Sequence, residues 1–409
     1  MRTVTDERLA SAVAALPGTP RVVASGNAAA PLHTLGLVDG ALERWRLHML
    51  NAPTGIPDRA GVRLETTFVG AGMRDKPELD YIPSRLSLVP ALFRDTRPPD
   101  VVVVHTSAPQ RGRVSLGCEV NVLPAAIDAA RARGALVVAQ VNPHMPYTFG
   151  DGEIDVDDVD LAVEVDVPLA GAAQPAPGHT ARAIAERVAA LVRDDATLQL
   201  GIGAIPDATL AAVDARGLRI WSEMFSDGVL ALDRAGRLDP DAPIVASFCF
   251  GSPELLAWTH RNPRVRMLRT ERSNDPARIA RQPWMTSING AMQMDLYAQA
   301  NASYRRGRIY SGFGGQTDFV VGALHAPGGR AVIALPSWHE CTGTSTIVPR
   351  LEQPSTSFQH SHVVTEHGTA RIRGNTLAQQ AAQLVDVAAD PRARGDLAAA
   401  ARGLGLVGP

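Results

Sequence analysis

Short aliphatic runs alternate with alanine-rich stretches of helical spacing along this chain, and that alternation constrains its fold more than any other feature. RVVASG (21–26), VRLETTFVG (62–70), DVVVVHTS (100–107) and ALVVAQVN (135–142) are strand-sized. DERLASAVAAL (6–16) and LPAAIDAARARG (123–134) instead space their apolar residues as one face of a helix does, with Gly134 placed to cap the second. Such a sequence builds a mostly parallel sheet covered by helices, the α/β class. The acidic stretch DGEIDVDDVD (151–160) and the Pro/Gly/Ala-rich PLAGAAQPAPGH (168–179) interrupt the pattern. It then restarts: TARAIAERVAALV as helix, TLQLGIG as strand and turn, PDATLAAV as helix and LRIWSE as strand. The expected organisation is an N-terminal α/β domain over 1–170, a linker at 171–180 and a C-terminal α/β domain over 181–409. RVVASGNAAAPLHTLGLV (21–38) and LQLGIGAIPDATLAAV (198–213) each read as strand, glycine turn and helix, a weak internal duplication.

Charge and cysteine content exclude several classes of function. Forty Lys and Arg balance 42 Asp and Glu, so no basic face is expected for nucleic acid or an anionic membrane. Cys118, Cys249 and Cys341 are far apart, with no zinc or redox spacing, which fits a reducing cytoplasm. MRTVTDERLASAVAALPG puts acids where a signal peptide needs an apolar core, and VVVV at 101–104 is too short to span a bilayer. A soluble cytoplasmic protein is expected, with no metal and small molecules as partners.

The chemistry has to be sought where polar residues break the pattern. RIWSEMFSDG (219–228) sets Glu223 among Ile220, Trp221, Met224 and Phe225. Such an acid is either a paired structural carboxylate or a reactive one made nucleophilic by partial desolvation. GIGAIPDATL places Gly201 and Gly203 between a strand and a helix, with Pro206 in the helix's first turn. This is either a plain tight turn or an anion cradle of backbone N–H groups. A dinucleotide site using Gly201, Gly203 and Glu223 would need glycine where Pro206 stands. YSGFGGQTDF (310–319) brings Gly312, Gly314 and Gly315 together before Gln316 and Thr317, more glycine than a structural turn requires. QVNPHMPYTFGD (140–151) carries Asn142, His144 and Tyr147 in a loop at a strand end. SWHECTGT (337–344) gathers His339, Glu340 and Cys341 in a loop suited to a lid rather than to zinc. Cys249, in ASFCFGSPELL, reads as core, and a thioesterase using Cys341 has no local support.

SEMFSDG, LQLGIGAIPDA, FGSPELLAWTHRNP, INGAMQMDLY and SGFGGQTDF, with YIPSRLSLVPALF, VSLGCEVNVLPAAI and QVNPHMPYTFGD in the first half, together resemble the acetyl-CoA hydrolase/transferase family of CoA-transferases. The resemblance runs from about residue 60 to 395. It implies two tandem CoA-transferase-type α/β domains with the active site in the cleft between them, and a homodimer. It makes Glu223 the nucleophile, Gly315 and Ile202 the backbone donors to an oxyanion, and Asn274, in RTERSNDPARI, a contact of the reacting group. Gly201, Gly203, Gly312, Gly314, Gly315 and Gln316 become candidates to hold coenzyme A, which is a substrate rather than a resident cofactor. Asn142, His144, Trp338 and His339 are candidates for the substrate pocket. The activity implied is transfer of coenzyme A between a short-chain acyl-CoA and a carboxylate such as 4-hydroxybutyrate, through a glutamyl-CoA thioester. The alternatives are hydrolysis of acyl-CoA by the same glutamate and, further off, a nucleotide-binding oxidoreductase. Departures from the family pattern gather at Trp338-His339-Glu340-Cys341, at DLYAQA with Ala298 in place of glycine, and at RSND. They bear on the acceptor rather than on Glu223.

Overall fold

In the computed structural model, which describes residues 1–171, 176–201, 203–355 and 359–407, all four strands expected in the first half form. Backbone contacts divide the chain into two compact units: Met1–Ala173 with Pro243–Ser273 and Ile309–Gly314, and Gln174–Ala242 with Asn274–Arg308 and Gly315–Pro409. The segment read as a linker lies partly outside the described residues, at 172–175.

The first unit is built on an eight-stranded sheet. Its order is Arg2–Thr3, Leu161–Glu164, Leu136–Val141, Val101–Thr106, Arg21–Ala24, Trp45–Met49, Val62–Thr66 and Leu79–Tyr81. Every neighbouring pair is parallel, and Val101–Thr106 is buried throughout, as a strand covered on both faces must be. The helix Asp6–Ala14 shows how local signals and packing agree. The Thr5 side chain accepts from the Arg8 N–H, Asp6 and Glu7 occupy the first turn, and Leu9 and Val13 are fully buried one turn apart. Their burial in the core with Trp45, Leu47 and Met49 contributes about 1.5–3 kcal/mol per side chain. Gly134 ends the helix Leu123–Arg133 in the left-handed conformation, as expected. A parallel trio, Ile244–Ala246, Val265–Met267 and Phe149–Gly150, also belongs to this unit.

The second unit repeats the strand–helix alternation. Thr369–Arg371 runs antiparallel to His362–Val364. Parallel strands then follow in the order Arg330–Ala334, Thr286–Gly290, Thr197–Leu200 and Arg219–Trp221. Helices His179–Ala189, Ala204–Ala212 and Gln316–His325 belong to the same unit. Phe319, Val320 and Ala323 on the last of these pack with Ile279, Met285 and Ala331. The register Leu200↔Ile288 and Gly290↔Ala334 brings the carboxyl ends of three strands to one edge. In open α/β sheets that is the edge where ligands bind. One local expectation changes: SWHECTGT forms a small hairpin, Trp338–His339 against Thr344–Ser345, with Cys341 exposed at its tip. Two-residue strands carry too little alternation to be read from sequence. Among the described residues, no helix is long and apolar enough to cross a membrane.

Candidate active site

The position of Glu223 follows from a change of hydrogen-bonding partner in the sheet. Thr197–Leu200 pairs in parallel with Arg219–Trp221, Leu198 opposite Ile220, and then antiparallel with Met224–Phe225, Leu200 opposite Met224. The chain therefore reverses at Ser222–Glu223. Ser222 is fully buried, and its hydroxyl donates to the Leu200 carbonyl at 3.2 Å and accepts the Leu200 N–H at 3.3 Å, standing in for the interrupted ladder. Ser226 donates to Asp207, in the first turn of the helix that follows the Gly201–Gly203 turn. The reversal lets Ile220, Met224 and Phe225 enter the core while Glu223 occupies the corner at the carboxyl edge. An acid in an apolar run is thus tolerated because it sits where the strand ends.

Glu223 is half-buried as a residue, but its carboxyl group is withdrawn from water. Asn274 Nδ2 donates to Oε2 at 2.9 Å, and the Gly315 N–H also donates to the carboxylate. A Cβ on Gly315 would lie 1.8 Å from that oxygen and 2.4 Å from Asn274 Nδ2, so only glycine lets the backbone come this close. Burial pushes the Glu223 carboxyl up from its ordinary 4.5 to about 7, and repulsion from Asp318 adds to it. The Asn274 and Gly315 donors act in the opposite direction. Near neutral pH this carboxylate is desolvated and poorly stabilised, hence nucleophilic, and it exists in quantity only above about pH 7.

Replacing Asn274 by alanine is expected to lower kcat/KM by roughly 10- to 100-fold, the worth of a hydrogen bond to a charged group. Because the Asn274 donor favours the anion, its loss moves the acid limb of the pH–rate profile to higher pH. An unmoved limb in that profile would show that the contact is not made in solution.

The other candidates divide by surroundings. Gly203, at φ +131°, precedes the helix Ala204–Ala212, with Gly201 at the end of Thr197–Leu200; Ile202 lies outside the described residues. Gln316 Nε2 donates to the Gly290 carbonyl at 3.2 Å, tying the start of its helix to the carboxyl edge of the sheet. In the first unit, Gly312 bridges Phe68, and Gly314 accepts the Leu86 N–H through its carbonyl. Asn142 is buried and donates to His105 Nε2 at 3.1 Å and to the Val167 carbonyl at 2.8 Å; the exposed His144 reaches Asp166 at 2.7 Å. Trp338 lies under the Arg392 guanidinium, 3.9 Å from ring centre, and His339 Nδ1 meets Thr342 at 2.9 Å. Glu366, His367 and Asp390 approach one another as metal ligands do. Both carboxylates are already engaged, however, Glu366 by Ser337 and Asp390 by both arms of Arg392. They anchor the Ser337–Trp338 turn.

Two residues escaped the reading of the sequence: Ser222, whose role exists only because the strand reverses, and Asp318. For Asp318 the signal was present, an acid inside the apolar run QTDFVVGAL, the same sign that marked Glu223.

Residues 58–170 match the acetyl-CoA hydrolase/transferase N-terminal domain, and residues 251–401 match the C-terminal domain. The chain is 36% identical to the 4-hydroxybutyrate coenzyme A transferase of Clostridium kluyveri, over 84% of this chain and 83% of that one. It superposes on the 4-hydroxybutyrate CoA-transferase of Porphyromonas gingivalis with a TM-score of 0.82 and 31% identity, covering 98% of each chain. RipA from Yersinia pestis gives a TM-score of 0.92 at 26% identity, over 99% of this chain and 98% of that one. A dinucleotide site has no support beside these matches, since Pro206 falls inside a helix and Glu223 is held by Asn274 and Gly315.

Proposed function

The chain belongs to the acetyl-CoA hydrolase/transferase family and is a CoA-transferase, and we propose that it moves coenzyme A between acetyl-CoA, or another short-chain acyl-CoA, and a carboxylate such as 4-hydroxybutyrate through a thioester on Glu223. The observation that carries this reading is the desolvated Glu223 carboxylate with the Asn274 amide and the Gly315 N–H on it. A carboxylate oxygen attacks the acyl carbonyl carbon, the C–S bond breaks, and coenzyme A leaves as thiolate, giving a mixed anhydride. The thiolate attacks the glutamyl carbonyl, the C–O bond breaks, and the first carboxylate departs, leaving glutamyl-CoA. An incoming carboxylate runs the same steps backwards, with no net proton transfer.

Each step passes through an oxyanion, and backbone N–H groups such as that of Gly315 are suited to it; one such donor is typically worth about 2.7–4 kcal/mol. Resident cofactor chemistry is not needed, because Glu223 supplies the covalent step and a thiolate is a good leaving group. Cys118, Cys249 and Cys341 are thiols rather than disulfides, which supports a cytoplasmic setting. We take the assembly to be a homodimer, which sizing by light scattering tests.

Hydrolysis of acyl-CoA is the second reading, because the family includes hydrolases. Withdrawal of the Glu223 carboxyl from water favours transfer over it. Incubation with acetyl-CoA followed by borohydride reduction converts a glutamyl thioester to an alcohol that mass spectrometry locates. Transfer is expected to give the reduced residue at Glu223, with its yield suppressed by added carboxylate. Turnover of acetyl-CoA with no mark at Glu223 overturns the mechanism.

A further inference from the structure

A single peptide bond beside the nucleophile is held at both of its polar ends. The chain passes from the first unit to the second between Gly314 and Gly315. The Gly314 carbonyl accepts the Leu86 N–H at 3.0 Å, and the Gly315 N–H donates to the Glu223 carboxylate, against which a Cβ on Gly315 would collide. A trans peptide is planar, so its C=O and N–H point in opposite directions. Turning this peptide to carry its N–H away from Glu223 would pull its carbonyl off Leu86.

The segment before this peptide is fastened residue by residue. Arg74 Nε donates to the Tyr310 carbonyl at 3.1 Å, with its guanidinium 3.9 Å from the Tyr310 ring centre. The Val69 N–H donates to the Ser311 carbonyl at 2.9 Å, and Gly312 pairs with Phe68 in an antiparallel bridge. A Cβ on Gly312 would stand 2.5 Å from the Thr67 carbonyl oxygen, and Gly314 takes a left-handed φ of +54°. Those two glycines serve the anchor, whereas Gly315 serves the approach to Glu223, which accounts for a cluster larger than a plain turn requires. Leu86 is buried and opens the short helix Leu86–Leu88, so its N–H has no acceptor within that helix. On the far side, the Gly315 carbonyl accepts the Phe319 N–H at 3.0 Å.

We propose that the backbone N–H of Leu86 is a positioning group for the transfer reaction: by holding the Gly314 carbonyl it aims the Gly315 N–H at the Glu223 carboxylate. This rests on the glutamyl-thioester reading. In that reading one Glu223 oxygen attacks the acyl carbon. When the thiolate later adds to the glutamyl carbon, the other oxygen takes up the negative charge of the tetrahedral adduct, and it returns to a carbonyl as the C–O bond to the departing carboxylate breaks. An N–H fixed on a Glu223 oxygen therefore meets the charge where it develops, with no reorganisation at that moment. A hydrogen bond to the carbonyl also draws electron density through the amide and makes its N–H the stronger donor.

An ester in place of the Leu86 amide tests this in the full-length protein. The α-hydroxy acid of leucine, incorporated at position 86, removes the N–H while keeping the side chain and every charge, so a change in the titration of Glu223 reports the donor alone. At pH values above the acid limb, kcat is expected to fall about ten-fold with KM little changed, as for an interaction that strengthens in the transition state. The Gly315 donor favours the Glu223 anion, so the acid limb, about pH 7 in the native protein, is expected to move to higher pH. A lowered denaturation midpoint with kcat and the limb both at their native values shows a merely structural bond and overturns the proposal.

If the ester protein does not fold, Leu86→Pro is compared with Leu86→Ala. Arg85, at φ −71° and ψ 150°, already has the extended backbone of a residue before proline, and proline suits the first position of a helix. Both variants lose the leucine side chain, but only Leu86→Pro loses the N–H. Its kcat is expected to lie about ten-fold below that of Leu86→Ala, with the limb at higher pH, and equal values overturn the proposal. Intact mass after incubation with acetyl-CoA separates the two levels of the argument. A native protein that forms no thioester overturns the transfer mechanism and this inference with it. A native thioester that the ester protein forms at the same rate overturns this inference alone.

Discussion

Glu223→Gln is expected to transfer no measurable coenzyme A, a loss of at least about 10⁴-fold, and yet to be more stable than the native protein at pH 8. The amide cannot form the anhydride or the thioester, but it keeps an oxygen to accept from Asn274 and Gly315. The stability change has a defined sign. Glu223 titrates near its ordinary 4.5 when unfolded and at about 7 when folded, so between these values the native state binds the extra proton. The advantage of binding it is complete below about 4.5 and fades as pH rises through about 7, above which the folded protein bears the full cost of a buried charge. That cost is on the order of 3 kcal/mol, and glutamine does not incur it. Urea midpoints at pH 8 and pH 4.5 check this: a gain for the variant at pH 8, and close agreement at pH 4.5. An equal gain at both would attribute the effect to packing rather than to charge.

Gly315→Ala is expected to lower kcat by about 10³-fold with little change in the denaturation midpoint. Its dihedrals are open to alanine, so backbone strain is not the obstacle. The obstacle is space: the new methyl would start 1.8 Å from Glu223 Oε2 and 2.4 Å from Asn274 Nδ2. One or both side chains must move by an ångström or more, and misplacement of that size costs on the order of 10²-fold before any loss of the N–H on the Glu223 carboxylate. Stopped-flow measurement of thioester formation separates this from slow product release. A rate close to native would mean that the carboxylate can react from another position.

The sequence makes the α/β class and the main strands legible because each strand is a short aliphatic run bounded by turn residues. Val101–Thr106 and Leu136–Val141 differ from their expected bounds by one residue at each end. Glu223 is legible as an anomaly, an acid where apolar residues are due. What makes it more than a structural carboxylate is not local. Asn274 stands 51 positions away and Gly315 further still, and no spacing rule connects them; the glycine cluster marks Gly315 by itself, but only the family resemblance ties it and Asn274 to Glu223. Ser222 reads as an ordinary strand residue until the strand is seen to reverse beside it. Asp318 carries the same mark as Glu223, an acid next to an apolar run, with no local sign of where it lies. The Trp338–His339 hairpin reads as a loop because two-residue strands have no period to detect.

The corner at Ser222–Glu223 also separates what can vary from what cannot. The backbone that carries Glu223 is placed by main-chain pairing and one serine hydroxyl, so the strands on either side of the corner, Thr197–Leu200 and 219–225, have little slack. The hairpin at 338–345 shares none of those bonds; Trp338 lies under Arg392, which pairs with the buried Asp390. A directed-evolution library should therefore leave the first segment untouched and can spend its diversity on the second.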